Sequence, residues 1–127
     1  LIFSRWTEKG NRNKKRDDEM SDLQFNRNFA LEQSGDDEEM LAELLTLFKT
    51  SSVDDFKRIQ AAYTDKNAKN VAEAAHSIKG AAASLGIDGI RQVASDLEKA
   101  GSEGNLDSAG GLIERLGKMF EAFDVLK

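Results

Sequence analysis

The sequence has no cysteine and no proline, and its 127 residues include one histidine, His76. Without cysteine there is no disulfide, no thiol nucleophile and no thiolate metal site, which suits a reducing, cytoplasmic setting. A single histidine and no cysteine leave zinc without a ligand set. Nothing approaches the roughly 20 consecutive apolar residues that cross a bilayer, and the start carries no signal-peptide pattern. Basic charge is not in excess. With 23 acidic against 18 basic residues the net charge is −5, which speaks against nucleic-acid binding by the chain as a whole. The chain opens on Leu1 and not methionine, so it reads as a piece of something longer. Its length suffices for one domain with a modest core.

Lack of proline, with glycines placed between apolar runs, is helical punctuation. No stretch alternates polar and apolar residues between turn signals as a strand does. Residues 1–22 differ from the rest: Arg5, Lys9, Arg12, Lys14, Lys15 and Arg16 form a basic stretch that Asp17, Asp18 and Glu19 neutralise. No apolar periodicity runs through it. It reads as a tail or linker from an upstream segment, with Leu1, Ile2, Phe3 and Trp6 as the end of a preceding helix.

From residue 23 to 127 the signals are regular and define one domain. A short helix around Phe25, Phe29 and Leu31 ends at Gly35, and Asp36 and Asp37 open a long one. Met40, Leu41, Leu44, Leu45, Phe48, Phe56, Ile59 and Tyr63 give that helix its core stripe, and Ser51 and Ser52 mark a bend. Asn67 caps the next helix, which ends near Gly86. Asp88 caps another, stopped by Gly101 and Gly104. Asn105 or Asp107 starts the last, with Leu112, Ile113, Leu116, Met119, Phe120 and Phe123 inward. Short links force antiparallel neighbours. The expected fold is all-α, an up-down-up-down four-helix bundle with a short extra N-terminal helix.

At about 100° per residue, Val71, Ala74, Ala75, Ile78, Ala82 and Leu85 share one face. His76 falls about 140° from Val71, Lys79 about 80° and Gly80 about 180°, while Ala72 and Ala83 lie near 100–120°. The histidine therefore stands off the core, on a face of small residues. Gly80 is costly inside a helix, and close approach of another backbone would explain it.

His76-Ser77-Ile78-Lys79-Gly80, followed by Gly86, resembles the H-x-x-K-G-x-x-x-x-x-G signature of histidine-containing phosphotransfer (HPt) domains. The flanking "SGDDEEMLAELLTLF" and "VASDLEKAGSEGNLDSAGGLIERL" are similar to helices of the same family, so the likeness covers about residues 24–124. One departure is Ala81, where many members carry serine. The resemblance implies that His76 takes a phosphoryl group from a receiver-domain aspartate in a phosphorelay and hands it to another receiver. Lys79 would neutralise the added charge. Gly80, Ala72, Ala83 and Glu73 would form the docking face, and Gly86 would be structural. Implied partners are response-regulator receivers and a sensor histidine kinase, in cis or in trans. The domain itself is expected to be a monomeric carrier and not an enzyme, with no cofactor or metal of its own. Mg²⁺ would come with the receiver, because Glu73 is the one carboxylate near His76 on its helix. This module would sit at the C-terminus of a hybrid kinase, or in the cytoplasmic part of a membrane-anchored one.

Two other readings stay open. One is the dimerisation helix pair of a sensor kinase, although Ser77 stands where an acidic residue usually follows the histidine and no phosphate-binding glycine loop is visible. The other is a structural bundle without chemistry, which leaves Gly80 unexplained.

Overall fold

The computed structural model describes residues 22–123, so the basic stretch and Leu1 to Trp6 lie outside the described residues. Five helices follow one another: α1 (Arg27–Gln33), α2 (Glu38–Thr64), α3 (Ala68–Ser84), α4 (Asp88–Ser102) and α5 (Ala109–Phe123). α2 packs on α3, α3 on α4, α4 on α5, and α5 back on α2. The long helices thus close an antiparallel bundle, with α1 as the short extra element against α2.

Apolar spacing determines what the ring encloses. Leu41, Leu45, Phe48 and Ile59 of α2 meet Val71 and Ile78 of α3, Ile90 and Leu97 of α4, and Leu116, Phe120 and Phe123 of α5. Burying each large side chain contributes about 1.5–3 kcal/mol. Phe48 packs against Phe123 at 5.3 Å between ring centroids, and Phe56 stands edge-on to Phe120 at 5.6 Å. The α2 stripe is narrower than its spacing suggests, because Met40 and Tyr63 are exposed. The helix also runs through Ser51 and Ser52 without interruption. Ser52 is buried there with its hydroxyl unpartnered.

The helix ends explain how short links suffice. α2, α3 and α4 all end with the same crossed pair of backbone bonds. Asn67 N–H donates to the Ala62 carbonyl and Lys66 N–H to Tyr63; Ile87 donates to Ala82 and Gly86 to Ala83; Asn105 donates to Ala100 and Gly104 to Gly101. Each reversal needs one residue at positive φ, supplied by Lys66, Gly86 and Gly104. Gly86 is doubly constrained, since a Cβ there would also lie 2.9 Å from the Phe29 ring and 3.2 Å from the Asn26 carbonyl oxygen.

Helix starts depart from expectation in two places. Asp37 and Asn67 do cap α2 and α3 through their side chains. α4, however, begins after Ile87, with Asp88 as its first helical residue and no side-chain cap. Backbone pairing holds that end instead: Asn26 N–H donates to the Gly86 carbonyl at 2.8 Å, and Phe25 and Ile87 form an antiparallel bridge. α5 starts at Ala109, later than Asn105 or Asp107. Packing reaches back to Asp22, whose carbonyl oxygen would strike a Cβ on Gly89, and Leu23 is fully buried.

Candidate functional site

α3 lies between α2 and α4 and shows one face outward. Val71, Ala74, Ala75, Ile78 and Ala82 are buried, while the His76 side chain is 67% exposed. Gly80, Ala83 and Glu73 are exposed, and Ala72 and Lys79 are half-buried. Among the described residues nothing beyond its own helical turn comes within 4 Å of a Cβ built on Gly80, so the described fold makes no steric demand for glycine there. The internal close approach is at Gly101. That residue does not stop α4 but sits buried inside it, where a Cβ would lie 2.7 Å from the Ala68 carbonyl oxygen and the Ala72 nitrogen.

This contact sets the register of the site. In antiparallel helices, one turn onward from Ala72 is His76, and about one turn back from Gly101 is Glu98. Glu98 Oε1 lies 2.9 Å from His76 Nδ1, and Oε2 lies 2.6 Å from Lys79 Nζ. The second contact is an ion pair. The Lys79 ammonium foremost, and the His76 ring after it, hold the Glu98 carboxyl below its ordinary pKa, against the opposing effect of partial burial. An ionised carboxylate only accepts hydrogen bonds. Nδ1 therefore carries the proton of neutral His76, and Nε2 keeps the free lone pair.

The other flank of α3 is held too. Ser77 Oγ–H donates to Asp55 Oδ2 at 2.7 Å, and the other oxygen of this buried carboxylate accepts from Arg58 Nη1 at 3.1 Å. With Asp55 of α2 on one side and Glu98 of α4 on the other, the rotation of α3 about its axis is fixed. An open groove of about 850 Å³ runs along the α3–α4 seam, lined by Lys69, Ala72, Glu73, His76, Glu98 and Glu103 among others. Gly80 and Ala83 lie outside this groove, one and two turns beyond the histidine. Gly86 is remote from the ring, at the far end of α3, where it shapes the turn.

Glu98 is the residue that helix-by-helix reading does not find. It is a carboxylate in contact with His76, supplied by α4, whereas counting along α3 alone offers only Glu73. A signal for it exists: once Gly101 is taken as a packing glycine, the antiparallel register brings residue 98 to residue 76. Among the described residues no three His, Cys, Asp or Glu side chains are grouped as a metal site, and no helix is long and apolar enough to cross a membrane.

The described helices thus form a bundle with an outward imidazole, a carboxylate on its Nδ1 and a lysine one turn on. Residues 43–125 match the family model of the Hpt domain. The chain belongs to that family, and its function is phosphotransfer in a phosphorelay, as a carrier working with receiver domains. Its fold is similar to that of histidine-containing phosphotransfer protein B (HptB) from Pseudomonas aeruginosa PAO1. The TM-score is 0.75 at 23% identity, over 81% of this chain and 90% of that one. No curated protein matches the chain significantly.

Proposed function

We propose that His76 is the residue that carries the phosphoryl group, loaded from a receiver-domain aspartyl phosphate and unloaded onto another receiver aspartate. The observation that supports it most is the Glu98 contact at Nδ1, which leaves Nε2 as the nucleophile on the exposed side of α3. In the loading step the Nε2 lone pair attacks phosphorus, the P–O bond to the aspartate breaks, and its electron pair returns to the carboxylate. Little else is asked of this chain, because phosphoryl transfer is mainly positioning and charge stabilisation. Lys79 offers a cation for the added charge. Gly80 and Ala83 on one side, and Ala72 and Glu73 on the other, border the surface a receiver must cover. Mg²⁺ comes with the receiver, and the chain acts as a monomer, free or as a module of a hybrid kinase.

Incubation with a phosphorylated receiver and Mg²⁺ is expected to give this chain an acid-labile, base-stable phosphate. No label, or an acid-stable one, overturns the proposal. Gly80→Gln tests the docking face separately. A Cβ at Gly80 meets no described residue outside its own helical turn and the position is exposed, so folding is unharmed or gains up to about 1 kcal/mol from losing a helical glycine. Transfer should nevertheless fall at least tenfold, a cost of about 1.4 kcal/mol in the transition state. A normal rate would show that no partner backbone approaches Gly80.

A further inference from the structure

The structure assigns Glu98 a second task, in the loaded state: it keeps Nδ1 of phosphorylated His76 protonated, so that the ring departs as neutral imidazole when the group moves on. This rests on His76 being the carrier. The geometry is already in place, since Nδ1 and Oε1 are 2.9 Å apart and Nε2, the other ring nitrogen, takes the phosphoryl group.

When the Nδ1–H tautomer attacks through Nε2, the product ring bears a positive charge. Two fates are open to it. Losing the Nδ1 proton makes a neutral ring, whose later departure from phosphorus would leave imidazolate, a poor leaving group. Keeping the proton lets the N–P bond break with its electron pair returning to Nε2 while the new P–O bond to aspartate forms. Neutral imidazole then remains, and no proton from solvent is needed. A carboxylate in hydrogen-bond contact favours the second fate by stabilising the cationic ring.

The surrounding charges leave Glu98 as the group that decides. α3 contributes Lys69, Glu73 and Lys79, and α4 contributes Glu98 and Glu103. Of these Glu98 alone bonds the ring. Asp55 of α2 is engaged by Ser77 and Arg58 on the opposite flank, and no α5 residue lines the groove. Lys79 acts against protonation of the ring, but its own contact with Glu98 keeps that carboxylate ionised and in place. Glu98 is thus a positioning residue: it touches the ring and not the phosphoryl group.

The test uses the whole chain, labelled with ¹⁵N and phosphorylated by phosphoramidate, so its result does not depend on a receiver being the natural donor. The Nδ1 shift of phospho-His76 is followed as pH is raised. The protonation midpoint of the native chain is expected about 1–2 pH units above that of Glu98→Gln, with Glu98→Ala lowered in the same sense. Discharge to a receiver with Mg²⁺ should fall off at the same midpoint in each protein. Equal midpoints in the native chain and both variants would overturn the assignment. A merely structural Glu98 would change melting and leave the shift of a folded, labelled variant where it was.

Discussion

His76→Gln is expected to accept no phosphoryl group from a receiver, under conditions that label the native chain fully. The loss is complete because the chain contains no other histidine, and the amide of glutamine has no nucleophilic lone pair comparable to imidazole nitrogen. The fold should not notice. The histidine is mostly exposed, its one bond among the described residues is to Glu98, and the glutamine amide can donate to the same carboxylate. Melting should move by a few degrees at most, as for other surface substitutions worth about 0.5 kcal/mol or less. Autoradiography after acid and base treatment, alongside a thermal melt, reads both halves. Label on the variant would place the acceptor elsewhere, and a collapsed melt would remove the inference from the lost label.

Gly101→Val should produce the largest loss of stability. Its first added carbon would lie 2.7 Å from two backbone atoms of α3 and 2.9 Å from Ala72 Cβ. Backbone cannot rotate away as a side-chain tip can, so the helices must separate along the seam where they pack most closely. Overpacking of this kind costs roughly 2–3 kcal/mol or more, which lowers the melting temperature of a domain this size by about 10–20 °C. Gly80→Val is the control, because among the described residues no atom beyond its own helical turn stands within 4 Å of a Cβ there. Phosphoryl acceptance by Gly101→Val should fall as well, since the same seam holds Glu98 against His76. An unchanged melting temperature would mean that α3 and α4 are not tied through this contact.

How much of this was legible in the sequence follows from the range of each interaction. Helix periodicity is local, so the four long helices, the buried face of α3 and the outward His76 could be read directly. Side-chain caps within four residues, at Asp37 and Asn67, were equally visible. What crosses between helices was not. The start of α4 depends on backbone pairing between Gly86 and Asn26, sixty residues apart, which no cap pattern announces. Gly101 looks like a helix stop because glycine usually is one, whereas here it lets two helices touch. The same blindness hid Glu98, which is an ordinary charged residue until the register of α3 and α4 is known.

The histidine stands on an open helix face with a groove beside it, and among the described residues no loop or lid lies above it. With His76 as the proposed carrier, loading and unloading use one doorway. A donor and a recipient that both need the same nitrogen cannot be seated together, so traffic through the carrier is strictly alternating. A spent donor that lingers acts as an inhibitor of the next transfer. Throughput then depends on how quickly complexes fall apart as much as on how readily they form, and tightening either partnership beyond a point would slow the relay.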